Sequence, residues 1–187
     1  KKMIKGIHKL LDECDAVIHY NGSKFDIPTL NKEFLLHGLH PPAPYKEIDL
    51  LRTSRSKFKF PSNKLDYVAQ ALGVGKKVPH HGHSLWLQCM TKDPKAWVIM
   101  KKYNKNDVVI LEKVYEKMLG WIKPHPNHNE YTLERVCPSC GKHNLHKRGT
   151  VCNTKYVFQR YQCQSCGRWS RSNKSMAAKV SNSNISI

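Results

Sequence analysis

Apolar side chains at Ile4, Ile7, Leu10 and Leu11 recur at helical spacing, and Asp12, Glu13 and Asp15 crowd the end of that run. Residues 3–14 therefore predict an amphipathic helix. The apolar stretch AVIHY at 16–20 predicts a buried strand directly after it. A polar loop, NGSKF at 21–25, leads into DIPTLNKEFLLHG, where Asp26 can cap a helix, Pro28 suits its first turn and Gly38 can end it. PPAPY at 41–45 is a stiff connector, and KEIDLL at 46–51 predicts a second strand. The order helix, strand, helix, strand is that of an α/β sheet with helical cover.

From residue 62 the pattern turns helical. KLDYVAQALG at 64–73 stops at Gly73, and GVGKKVPHHGH runs as a glycine- and histidine-rich loop to 83. Helical spacing returns over 84–102. The longest helix is predicted from near Lys101, with Tyr103, Val108, Leu111, Val114, Tyr115, Met118 and Ile122 on a broad apolar side. KPHPNHN at 123–129 has the composition of a linker, because its prolines continue neither a helix nor an interior strand. The expected organisation is an α/β domain over 1–122, the linker, a small β module over 130–171, and a disordered tail over 172–187 with too few large apolar groups to pack. There is no internal repeat.

Charge narrows the partner. Lys and Arg total 32 against 14 Asp and Glu, a formal charge of +18, which repels itself unless a polyanion is the usual neighbour. Nucleic acid is the expected partner. A membrane is not, since no basic amphipathic helix and no apolar run near the ~20 residues of a span occurs.

Seven cysteines are an odd number, and four of them form two C-x-x-C pairs, the spacing of thiolate metal sites rather than of a disulfide framework. With no signal peptide, a reducing cytoplasm is the expected compartment. The knuckles are CPSCG at 137–141 and CQSCG at 163–167. Cys137, Cys140, Cys163 and Cys166 are thus expected to hold one structural Zn²⁺ in a zinc ribbon, with all four positions filled and none left for water. Cys152 is expected to be a spare thiol. Two redox motifs, or an iron–sulfur site, are the weaker readings of the same residues. The module is basic, and Tyr156, Phe158, Tyr161 and Trp169 either stack on bases or build its core.

Two carboxylates have settings suited to two-metal phosphodiester cleavage. Asp26 lies where a buried strand gives way to a helix. Asp107 lies one helical turn after Tyr103, so the two share a face. Singly, each has a plainer reading: a helix cap, and a solvated charge beside a half-buried aromatic. In their order they resemble a known family. HYNGSKFDIPTLN at 19–31 is similar to the second motif, and YNKNDV at 103–108 to the third, of the DEDD superfamily of 3′–5′ exonucleases with the ribonuclease H-like (DnaQ-like) fold. The tyrosine of the third motif places the resemblance with the subclass that uses Tyr rather than His. KEIDLLR at 46–52 and SNKLDYVAQALG at 62–73 sit where that group has its intervening strand and helix, so the resemblance covers about 16–122. The C-terminal ribbon resembles those that phage and bacterial proteins attach to such a domain, which implies a bacterial or phage-infected cytoplasm.

The resemblance implies that Asp26 and Asp107 bind catalytic Mg²⁺ or Mn²⁺, that Tyr103 orients the nucleophilic water, and that Asn21 and Phe25 line the site of the terminal nucleotide. It implies a substrate with a single-stranded 3′ end, DNA before RNA. HHGH at 80–83 lies about twenty residues before Tyr103 and reads as a loop. The family's first motif, Asp-x-Glu on an opening strand, has no match upstream of Asp26, and the chain begins with Lys1 rather than Met. The expected domain is therefore N-terminally incomplete, its first strands supplied by a deleted segment, by a separate polypeptide, or by sequence upstream. The alternatives to an exonuclease are a non-catalytic nucleic-acid-binding protein with a degenerate nuclease fold, and a ribbon adaptor for protein contacts.

Overall fold

The first helix forms as its spacing predicts. In the computed structural model, which describes residues 2–79 and 82–176, α1 (Lys2–Asp12) turns Ile4 and Leu11 inward against Phe34 of α2 (Asp26–Leu36). Between them β1 (Ala16–His19) runs parallel to β2 (Lys46–Asp49), in register from Ala16 opposite Lys46 to His19 opposite Asp49. Parallel strands need a crossover connection, and α2 is that crossover.

The second strand ends two residues before its expected limit. Leu50 and Leu51 open a helix, α3 (Leu50–Lys57), because the Asp49 carboxylate accepts the Leu51 and Arg52 amides at 2.9 and 3.4 Å. Arg55 and Lys57 in its last turn suit the negative end of the helix dipole. α4 (Leu65–Ala71) and α5 (His83–Met90) follow.

The long helix, α6 (Pro94–Met118), starts seven residues before Lys101. Asp93 caps it by accepting the Lys95 amide at 2.8 Å, and Pro94 takes the first position, where its missing N–H costs nothing. Its inner face is Ala96, Met100, Ile110, Val114 and Met118, whereas Val108 is 65 % exposed and takes no part in the core. Ile48, Leu50, Val68, Ala69, Ile110, Val114, Met118 and Ile122 form the main core. A smaller cluster, Leu85, Cys89, Ala96 and Met100, packs α5 on α6 beside Tyr103.

The chain divides into two compact units, one ending at His125 and the other beginning at Pro126. The expected linker is thus shared. His125 stacks on Tyr115 and bonds its hydroxyl at 2.6 Å, while His128 opens a 3₁₀ turn of the second unit. That unit is an antiparallel sheet in the order β3 (Leu145–Cys152), β4 (Val157–Cys163), β5 (Trp169–Arg171). A bulge between Lys147 and Thr150 is turned by Gly149, whose φ of 65° suits glycine. The tail expected from 172 is tied to β4 at its start: Ser172 and Met176 donate their amides to Gln159 and Val157 at 2.9 and 2.7 Å. Its remainder, 177–187, lies outside the described residues. Among the described residues no helix is long and apolar enough to cross a membrane.

Candidate active site and zinc centre

The turn that follows β1 aims the chain at the site. Asn21 adopts φ of 70°, a left-handed conformation that asparagine tolerates, and its amide donates to the Asp49 carboxylate at 2.9 Å. The Gly22 amide donates to Nδ1 of buried His19 at 3.0 Å, which leaves the ring proton on Nε2, facing Glu47 Oε2 at 3.3 Å. A side chain on Gly22 would meet the His19 ring at 2.7 Å, so only glycine fits. The Gly22 carbonyl then accepts the Phe25 and Ile27 amides, and α2 begins. Asp26 is the first helical residue rather than the cap; that position falls to Phe25, which makes no side-chain cap bond. The Asp26 carboxylate is therefore not used for capping.

Asp26 and Asp107 line one pocket of about 950 Å³, together with Asn21, Asp66, Lys77 and Asn104. Tyr103, one turn before Asp107, is reached through Lys77. The Lys77 ammonium donates to Asp107 Oδ2 at 2.6 Å and to the Tyr103 hydroxyl at 3.0 Å, and lies 5.1 Å from the centre of the tyrosine ring. Burial by itself lowers the Lys77 pKa, but its bonds to Asp107 and Tyr103 outweigh that and raise it above the usual 10.5. The stability that Lys77 gains from its charged form is therefore present below pH 10.5 and is lost as pH rises through the higher folded value. The other carboxylate oxygen, Asp107 Oδ1, is buried and has no hydrogen-bond partner among the described residues. Phe25 stands 64 % exposed and outside the pocket lining. His80 and His81 lie outside the described residues, and His83 opens α5.

Three residues here escaped the sequence reading. Lys77 sits in an aperiodic glycine loop, 30 residues from its partner. Asp66 accepts the Lys77 amide at 2.7 Å and so holds that loop over the pocket. Asp49 looked like the middle of a strand, although a carboxylate just before LLRTSRSK is itself a cap signal.

A buried carboxylate oxygen without a donor, on a wall shared with a second carboxylate, suits a hard divalent cation, which takes oxygen ligands. Asp26 and Asp107 are the residues that would hold it. Lys77 already supplies Asp107 with a positive charge and must leave Oδ2 for a cation to bind there. Lys77→Met is accordingly expected to tighten Mn²⁺ binding about tenfold, the equivalent of the ~1.5 kcal/mol of one charge-assisted hydrogen bond. Calorimetry checks this, and weaker binding than in the unsubstituted chain would refute it.

In the second unit the four knuckle sulfurs lie within 4.8 Å of one another. Cys137 to Cys166 and Cys140 to Cys163 are both 3.6 Å, against an edge of about 3.8 Å for a sulfur tetrahedron around zinc with Zn–S near 2.3 Å. The knuckles repeat one turn: Gly141 N bonds Cys137 O and Cys137 N bonds Lys142 O, just as Gly167 N bonds Cys163 O and Cys163 N bonds Arg168 O. Gly141 and Gly167 have φ of 68° and 75°, which explains the glycine after each pair. Burial acts to raise the Cys163 pKa, but amide donors from Cys166 and Ser165 prevail and bring it to about 7, while burial drives Cys166 upward. The donor set fits Zn²⁺. Cys152 is exposed and outside it.

A family model of the RNase H superfamily matches residues 1–119, and the chain belongs to that superfamily. Its members are in general nucleases, acting on nucleic acid with divalent metal ions. No curated protein matches the chain.

Proposed function

We propose that the chain carries the catalytic face of a 3′–5′ exonuclease of the tyrosine-using, DnaQ-like subclass, hydrolysing DNA from a single-stranded 3′ end in a bacterial or phage-infected cytoplasm. The observation that supports it best is the meeting of Asp26 and Asp107 on one pocket, with Tyr103 one turn from Asp107. Mg²⁺ or Mn²⁺, held by the two aspartates, would supply the Lewis acidity of two-metal phosphoryl displacement. Tyr103 orients the attacking water through its hydroxyl. Asn21, at the pocket wall, offers an amide to the terminal nucleotide, and Phe25 offers an exposed ring. Among the described residues β1 pairs only with β2, so its other edge is open to a further strand. The ribbon, carrying Zn²⁺, holds nucleic acid.

The second reading, a non-catalytic nucleic-acid-binding protein, draws support from the Lys77–Asp107 ion pair, which places a protein cation where a metal would act. One assay separates the two. Single strands labelled at the 5′ end are incubated with Mg²⁺ or Mn²⁺ and either this chain or a form carrying the sequence encoded upstream of Lys1. Progressive shortening from the 3′ end is expected for the extended form. Absence of shortening from both, with binding retained, leaves the non-catalytic reading.

A further inference from the structure

No Asp or Glu follows Glu134 in the sequence, so the sheet of the second unit carries Lys147, Arg148, Arg160 and Arg171 with no carboxylate among its strands. Two of these are placed against each other. Arg160 of β4 and Arg171 of β5 are direct cross-strand partners, so their side chains leave the same face of the sheet. Like charges in that relation destabilise a sheet. Neither arginine has a salt bridge among the described residues, and both are exposed.

The two guanidinium groups part along the strands. Arg160 lies over the Trp169 ring at 4.6 Å and Arg171 over the Phe158 ring at 4.1 Å. Trp169 pairs with Gln162, two residues after Arg160, while Phe158 lies two residues before it. The arginines therefore lean in opposite directions, each over an aromatic ring. The Arg160 Nε–H donates to the Arg148 carbonyl at 3.2 Å, which fixes that group further. A guanidinium held over a ring keeps its remaining N–H groups at the rim, where phosphate oxygens can accept them. The arrangement also limits three of the aromatic rings as platforms for bases, while Tyr156 stays 55 % exposed. Phe158 and Tyr161 are buried, and Arg171 and Arg135 lie over them; one face of Trp169 is under Arg160.

We propose that this face of the ribbon binds the phosphodiester backbone of a nucleic-acid strand, with Arg160 and Arg171 each taking a phosphate and the rings beneath serving as their supports. Binding there is independent of base sequence. The inference deepens the role given to the ribbon above and rests on nucleic acid being the partner, but not on catalysis.

The test uses the full chain with its zinc and no Mg²⁺ or Mn²⁺, so that no cleavage enters. Fluorescence anisotropy follows an oligothymidylate 15-mer and a mixed-sequence 15-mer across a range of salt. Arg160→Gln with Arg171→Gln is expected to weaken both strands equally and to lower the slope of log affinity against log salt by about 1.4, two single-strand phosphate contacts. Lys5→Gln with Lys9→Gln removes the same charge from α1 and is expected to leave the slope unchanged. An unchanged slope in the arginine variant, an unequal loss between the strands, or an equal slope change in the lysine control overturns the proposal. Should the arginine variant lose its zinc, phenylglyoxal modification of the unsubstituted chain decides instead. Protection of Arg160 and Arg171 by the oligonucleotide is expected, and modification of both at the free rate overturns the proposal. If the unsubstituted chain binds neither strand, nucleic acid as partner falls as well; binding that is as tight, and as salt-dependent, without the arginines overturns this assignment alone.

Discussion

Cys163→Ser is expected to unfold the second unit and leave the first one folded. The Cys163 side chain is 1 % exposed, and its sulfur lies 3.6 Å from that of Cys140 and accepts the Ser165 amide at 3.4 Å. Apart from cysteines, the buried apolar groups of this unit among the described residues are Val136, Phe158 and Tyr161. A core of that size does not offset the chain entropy of some fifty residues. Structural Zn²⁺ in such a site contributes about 10–16 kcal/mol, so losing one of four thiolates removes most of what holds the unit together. Zinc stoichiometry from a chromophoric chelator and far-ultraviolet circular dichroism read the outcome. Retention of one zinc per chain with an unchanged spectrum would refute it. Nucleic-acid affinity is expected to fall with the zinc, while Mn²⁺ binding by the first unit stays as it was. Acid acts in the same direction. The thiolate ligands must be deprotonated to hold the metal, so protonation releases it.

Asp107→Ala is expected to weaken Mn²⁺ binding to the first unit by at least about 100-fold, more than the 10- to 100-fold typical of losing a group that only hydrogen-bonds a ligand, and to stop strand shortening by the extended form. Asp107 carries both the orphaned oxygen and the partner of Lys77, so two effects must be told apart. Loss of the ion pair alone costs stability, about 1–3 kcal/mol for a partly buried charged hydrogen bond, and denaturant unfolding measures it. Lys77→Met breaks the same pair while keeping the carboxylate. A metal role for Asp107 predicts opposite shifts in Mn²⁺ affinity for the two variants, whereas a purely structural role predicts the same loss of stability in both and no divergence in binding. Equal strand shortening with and without Asp107 would end the enzyme reading.

The parts of this molecule legible in the sequence are those specified locally. The C-x-x-C-G knuckles announced themselves because each closes on its own turn, and α1, β1 and α2 followed from spacing and from Pro28. Asp26, Tyr103 and Asp107 are candidates from the order of their motifs, and the structure places Asp26 and Asp107 on one pocket. What escaped was non-local. The bond from Lys77 to Asp107 spans 30 residues and has no periodic trace. The helix α3 hid because Leu50 and Leu51 continue the apolar run of β2, and the Asp49 cap that turns them is a single residue. The early start of α6 has the same origin: Asp93 and Pro94 form a start signal that the weak apolar spacing of the next turn obscured.

The two units differ in what stands between them and their ligands. At Asp107 a resident ammonium holds one of the two carboxylate oxygens, so a cation that is to use Oδ2 as well must compete with it. Beyond Glu134 there is no internal carboxylate to compete with a phosphate for Arg160 and Arg171. An anion docks without displacing any protein group of opposite sign. The ribbon is in this sense permanently armed, and the pocket is latched.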